Sequence, residues 1–268
     1  MRLPIPPPGP GAPSLYCITG WCGTDGGASS PAPSTARGPI EHWRQECTPS
    51  AVLTPPRRTA RLEPVPTLQE QFGQIDIYLF DQLLKGRIAT GMRILDAGCG
   101  TGRNLVYLLR EGYEVYAADA DAQAVASVRS LVHKLAPALP ASNFRVEAVE
   151  QMSFDDACAD VVISNTVLHF ARDDAHFESM LHGSWRALKP GGLFFCRLGS
   201  SIGMESQVVR IQGRRYRSPD GSERYLVDAA LIGSTTERLG AELADPLKTT
   251  IVHNQRAMTT WVLRKKGL

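Results

Sequence analysis

The chemistry of this chain is concentrated in two carboxylates and a run of glycines. The stretch Leu95-Asp96-Ala97-Gly98-Cys99-Gly100-Thr101-Gly102 closes a short apolar run at 92–97 and opens a helical pattern over 103–111. Glycine permits positive φ and lets a ligand reach van der Waals contact with the backbone. The helix start behind the turn supplies free N–H groups. Asp96 stands directly before the turn, where a carboxylate suits a cationic amine and would repel a pyrophosphate. Asp119 follows Gly100 by nineteen residues and ends the strand-like run 114–119. An acid at that point takes both hydroxyls of a ribose. The G-x-G-x-G spacing also differs from the G-x-G-x-x-G of dinucleotide-binding turns.

Further along, Ser164-Asn165 ends the strand-like run 160–165, at the carboxyl edge where open α/β sheets bind ligands. His169 lies four residues on and is a candidate general base, because its unperturbed pKa lies near neutrality. His133, His176 and His182 sit in helical segments and read as surface residues. The six cysteines (Cys17, Cys22, Cys47, Cys99, Cys158 and Cys196) form no CxxC pair, so neither a zinc site nor a disulfide framework is expected. That usage fits a reducing compartment and a cytoplasmic location. Cys158 and Cys196 read as buried small hydrophobes.

The elements that must position these residues alternate. Helical spacing of Phe72, Ile75, Leu79 and Leu83 predicts a helix over 68–87. Strands are expected at 92–97, 114–119, 144–149, 160–165 and 193–198, with helices at 103–111, 122–135 and 173–188 between them. Two more strand-like runs, 249–253 and 258–264, are separated by a hairpin length. The expected fold is α/β, a Rossmann-like doubly wound seven-stranded sheet, mostly parallel, with a C-terminal antiparallel hairpin. Fourteen of the nineteen prolines fall in residues 1–66, which show no apolar period. That segment reads as a disordered Pro/Gly-rich leader, with a short helix near 40–46, and residues 67–268 as the folded domain. The domain holds 23 basic and 23 acidic residues, and this neutrality argues against duplex nucleic acid as a partner. No apolar run approaches the roughly 18 residues of a membrane span.

The motifs LDAGCGTGRN (95–104), VYAADAD (115–121), ADVVISNTVLHF (159–170) and RALKPGGLFFCRL (186–198) together resemble the class I S-adenosylmethionine-dependent methyltransferases. The resemblance spans about residues 68–268 and implies S-adenosyl-L-methionine as cofactor, with no metal. It implies that Gly98, Cys99, Gly100 and Gly102 wrap the methionine part, that Asp96 helps hold its amino group, and that Asp119 and Ala120 meet the ribose. Where the family has a polar residue near the adenine, this chain has Ala148. Backbone N–H groups of Val149 and Glu150 are then the expected adenine readers, with Met152 or Phe154 against its face. Ser164, Asn165 and His169 fall in the region that lines the transferred methyl group.

Methyl transfer is an in-line displacement at an activated carbon, so alignment and dryness matter more than any one side chain. The acceptor pocket is therefore expected from segments outside the sheet. One is the 72–87 helix, with Phe72, Asp76 and Tyr78. The other is 199–228, where Arg210, Arg214, Arg215, Arg217 and Arg224 flank a Pro219-Asp220-Gly221 turn. Asp-Gly between such runs predicts a β-hairpin, a candidate substrate lid whose basic cluster suits an anionic acceptor. The expected function is methyl transfer to a small molecule. The alternatives are a non-catalytic S-adenosylmethionine-binding regulatory or scaffold protein, and a nicotinamide-dependent oxidoreductase, against which the glycine spacing and Asp96 speak.

Overall fold

The computed structural model describes residues 66–267, so the expectations for residues 1–65 lie outside the described residues. β1 (Arg93–Ala97) lies at the centre of the sheet, between β2 (Glu114–Asp119) and β4 (Ala159–Asn165). Ile94 is in register with Val115 on one side and Val161 on the other. Burial runs almost unbroken through β1 and β4 because a parallel sheet covered on both faces has no wet side. β3 (Phe144–Val146) extends the sheet beyond β2, and β5 (Leu188–Ser200) extends it beyond β4.

β11 (Arg256–Lys265) runs antiparallel to β5 and carries β9 (Ala241–Leu243) and β10 (Lys248–Val252) on its far side. The positions thus read β10-β11-β5-β4-β1-β2-β3, seven in all, with β9 sharing the outer place beside β10. The expected doubly wound sheet and its closing hairpin are both present.

Each face of the sheet has its own core. Ile94, Val161 and Phe195 pack under α2 (Ile77–Leu84), α3 (Val106–Arg110) and α4 (Ala122–Leu135). Leu95, Val162, Phe194 and Trp261 pack under α5 (Asp174–Ala187) and α6 (Ala229–Arg238). The alternation of neighbours between the two clusters is the period of two of a strand.

Several elements differ from the sequence expectations. The 68–87 helix is two, α1 (Leu68–Phe72) and α2, because Gly73 takes φ 64° and Asp76 starts a new helix by accepting from the Tyr78 N–H. The 144–149 strand ends at Val146, and Val149–Gln151 curls into a 3-10 turn beneath α5. The 199–228 segment folds as a separate three-stranded sheet of β6 (Val209–Gln212), β7 (Arg215–Arg217) and β8 (Glu223–Tyr225). Gly221, at φ 80°, closes the β7–β8 turn as the Asp-Gly pair predicts. α6 has no counterpart in the sequence reading. Its Gly233, Ser234, Thr235 and Thr236 weaken the helical period, and Asp228 starts it by accepting from the Leu231 N–H.

Gly183 sets how closely α5 lies on the 149–151 turn. A Cβ there would overlap the Val149 carbonyl oxygen and sit 3.2 Å from the Glu150 Cα. Both obstacles are backbone, so Gly183→Ala is expected to cost about 1–3 kcal/mol in urea unfolding. An unchanged midpoint would show that α5 shifts freely.

Candidate active site

The turn after β1 is pinned to the end of β2. The Ala118 carbonyl accepts from the Gly98 N–H at 2.8 Å and from the Cys99 N–H at 3.0 Å. Asp119 Oδ2 accepts from the Gly100 N–H at 2.8 Å, and its Oδ1 from the Asp121 N–H at 2.9 Å. Gly98 and Gly100 both have positive φ. A Cβ at Gly98 would overlap the Val167 side chain, whereas one at Gly100 meets nothing within 4 Å and would stand in open cleft.

That cleft holds about 430 Å³ at the carboxyl edge of the sheet. Of the expected site residues it brings together Gly98, Gly100, Asp119, Ala120, Val149 and Glu150. Ala148 also lines it, in the place where a polar group was looked for. Its opposite wall is Thr166, Val167, Phe170 and Met180, which the sequence reading did not assign. Met152 and Phe154 are instead buried in the core, and the large apolar side chains that line the cleft are Phe170 and Met180. His176 is a further correction. It is not a surface residue, because its Nε2 lies 3.1 Å from Glu150 Oε1 and the ring borders the cleft.

Other expected residues lie under the floor. Cys99 is buried in the core, and Gly102 packs towards Val128 and Leu131 of α4. Ser164 is buried beside the Cys196 thiol, in register with it on β5. Asn165 accepts from Arg103 Nη2 at 3.1 Å through Oδ1 and leaves its Nδ2 without a partner. Asp96 is 1% exposed, and neither carboxylate oxygen has a hydrogen-bond partner. Burial pushes its carboxyl up to about 7, with the Arg103 charge pulling the other way.

A second cleft of about 330 Å³ adjoins the first, and Thr166 lines both. Thr166 has φ 65°, an unusual state for a β-branched residue. Its N–H donates to the Arg197 carbonyl at 2.7 Å, which fixes the backbone there. His169 lines this second cleft. Its Nδ1 accepts from the Gly199 N–H at 3.1 Å, so the neutral ring carries its proton on Nε2. Burial, then the charges of Arg224 and Arg256, hold its pKa down to about 4. The ring is a hydrogen-bond donor to the cleft, which corrects the expectation of a general base.

The candidate lid reaches this cleft through Ser218, Asp220, Ser222 and Arg224. Its expected basic cluster is largely neutralised within itself. Arg214 pairs with Asp228, Arg215 and Arg217 pair with Glu223, and Arg210 donates to the Tyr216 hydroxyl. The 72–87 segment supplies no wall to this cleft. Asp76 is buried against Arg197, and the Tyr78 hydroxyl lies 2.6 Å from Thr250 Oγ1.

Asp96 makes the domain sensitive to pH. The unfolded chain releases this proton near pH 4, while the fold keeps it to about 7. The folded state therefore binds more protons across that window, and stability falls as pH rises through it. Asp96→Asn is expected to flatten this fall and to raise stability above pH 7 by on the order of 3 kcal/mol. Thermal unfolding of the ligand-free protein from pH 4 to 8 measures it, and parallel curves for the two proteins would contradict it.

Residues 95–196 match the methyltransferase-domain family. An uncharacterised methyltransferase of Synechocystis sp. is 31% identical over 107 residues, 40% of this chain and 47% of the relative. A ubiquinone biosynthesis O-methyltransferase of Chelativorans sp. is 32% identical over 165 residues, 56% of this chain and 62% of the relative. The chain thus spans about half to three fifths of the length of these curated relatives. Among solved structures, the 1,6-didemethyltoxoflavin-N1-methyltransferase of Burkholderia thailandensis, with bound substrate and S-adenosylhomocysteine, superposes with a TM-score of 0.53 at 18% identity. That match covers 70% of this chain and 76% of the other, a likeness of fold. Motif order, sheet topology and the match over residues 95–196 together make this chain similar to the class I S-adenosylmethionine-dependent methyltransferases.

Proposed function

We propose that this protein transfers a methyl group from S-adenosylmethionine to a small-molecule acceptor by in-line displacement, with cofactor in the first cleft and acceptor in the second. The observation that carries this reading is the pair of clefts sharing Thr166. A scaffold that only bound the cofactor would have no use for the second.

The residues present fit the cofactor. The unpartnered Asp96 carboxylate matches an ammonium group, directly or through water. The open space over Gly100 matches a ligand lying on the backbone. Asp119 retains acceptor capacity for ribose hydroxyls, and Val149 and Glu150 offer main-chain contacts to the adenine between Phe170 and Met180. The cofactor supplies a methyl carbon already activated by its sulfonium. The protein's part is to hold the two ligands in line and to exclude water, and the 199–228 segment serves as the cover. A cytoplasmic location belongs to this reading, supported by the free thiols of Cys99, Cys158 and Cys196. No helix among the described residues is long and apolar enough to cross a membrane.

Calorimetry tests the cofactor half. S-adenosylhomocysteine is expected to bind and NAD not to bind. Gly100→Val is expected to abolish binding while the domain stays folded, since the side chain would fill the cleft at a strained φ. Asp119→Ala and Asp96→Asn are each expected to weaken binding by about 1.5–3 kcal/mol, the range of charge-assisted bonds. A parent protein indifferent to S-adenosylhomocysteine, or a Gly100→Val variant that binds as well as the parent, would refute the reading. The transfer half is tested by replacing residues 207–224 with a short glycine linker. Cofactor binding is expected to survive while S-adenosylhomocysteine release, screened against a metabolite library, is lost. Full turnover by the shortened enzyme would remove the lid from the mechanism.

A further inference from the structure

The second cleft carries a charge imbalance that the cofactor does not answer. Arg103, Arg197, Arg224 and Arg256 line it, against the single carboxylate of Asp220. Arg197 is already engaged, donating from Nη1 to Asp76 Oδ2 at 2.9 Å, and Arg103 lies 3.9 Å from the same oxygen. Among the described residues, Arg224 and Arg256 have no carboxylate within ion-pair distance. Arg224 donates to the Glu223 backbone carbonyl at 2.8 Å and lies 4.8 Å over the Phe170 ring. Asp220 is turned to its own loop, where Oδ1 accepts from the Ser222 N–H and hydroxyl.

Two guanidinium groups thus face a shared recess whose one carboxylate among the described residues, Asp220, feels both charges but lies beyond ion-pair distance of either. They come from different elements, Arg224 from β8 and Arg256 from β11. Holding them together costs self-repulsion, which an entering anion converts to attraction. A guanidinium fork matches the planar geometry of a carboxylate in particular. His169 adds to the same recess a neutral ring whose Nδ1 is occupied by Gly199 and whose Nε2–H is a donor. Beside the Asp220 carboxylate, the recess therefore offers mainly donors.

We propose that the second cleft recognises an acceptor bearing a carboxylate, gripped by Arg224 and Arg256 with the His169 Nε2–H as a third donor. This rests on the methyl-transfer reading above. It differs from the sequence expectation in its residues. Arg214, Arg215 and Arg217 of the lid are spent on Asp228 and Glu223, while Arg256 lies outside the lid altogether. Arg224 also ties the two clefts together, because Phe170 beneath it lines the cofactor side.

The test uses the full chain saturated with S-adenosylhomocysteine. Benzoate, phenylacetate and hexanoate are each titrated against the matching amide by saturation-transfer NMR. At least one acid is expected to bind about tenfold or more tightly than its amide, with the preference shrinking as salt is raised. Arg224→Gln and Arg256→Gln are each expected to reduce that preference about fivefold or more. Arg217→Gln, an arginine of the same lid paired with Glu223, is expected to leave it intact. Melting temperatures of the three variants serve as the control for folding. Equal binding of acids and amides, no binding of any acid, or an undiminished preference in both cleft variants would overturn the proposal while leaving methyl transfer standing. Failure of S-adenosylhomocysteine to bind at the outset would instead remove the reading on which it rests.

Discussion

Everything at the ligand edge of this domain depends on one junction, the tie between the turn after β1 and the end of β2. The Ala118 carbonyl and the Asp119 carboxylate together hold the N–H groups of Gly98, Cys99 and Gly100. Those bonds replace the strand ladder where the chain leaves the sheet and satisfy three successive backbone donors there. They also set the direction of α3 behind it. Asp119 has a double duty here. One oxygen fixes the turn and the other starts the approach to α4 through Asp121. A carboxylate locked from both sides is a preorganised acceptor, and a ligand hydroxyl that meets it does not have to order it.

The second consequence of that junction is the fate of Asp96. Because β1 is central and covered on both faces, its last polar side chain is almost fully buried. The fold tolerates a buried carboxylate with no partner, and the cost appears as a carboxyl pushed up to about 7. An unmet group of this kind is what a binding site looks like before its ligand arrives. Thr166 makes a parallel case just past the end of neighbouring β4, where a β-branched residue is held at φ 65° at the boundary of two clefts. Both departures from good local energetics sit within the same switch point, where β1 turns towards β2 and the chain later returns as β4.

The sequence made the mostly parallel sheet, its closing hairpin and the glycine turn legible because each rests on local signals. Glycines, apolar runs of strand length, and acids at strand ends are all read within a few residues. The failures have a common cause, which is that they depend on partners far along the chain. Met152 and Phe154 are near the expected adenine position in sequence, but α5 draws them into the core and brings Met180 to the cleft instead. His176 looks like a residue of a helix surface, and only the return of Glu150 beneath α5 gives it a partner at 3.1 Å. The α1–α2 break was local and readable in principle, since Gly73 and a capping Asp76 are both present. It was hidden by an apolar spacing that continued through the break.

Charge pairing shows the same limit in a more instructive form. Read along the chain, the arginines of 210–217 form the obvious basic patch. Folded, that patch supplies its own acids, since β7 and β8 pair antiparallel and bring Glu223 opposite Arg217. Neighbouring charges in sequence are the ones a hairpin can most easily neutralise. The arginines left over are those whose elements meet only in the tertiary structure, Arg224 at the lid's inner edge and Arg256 at the start of β11. A cation without an ion-pair partner among the described residues has been placed by the whole topology, and an anionic ligand is the natural complement to it.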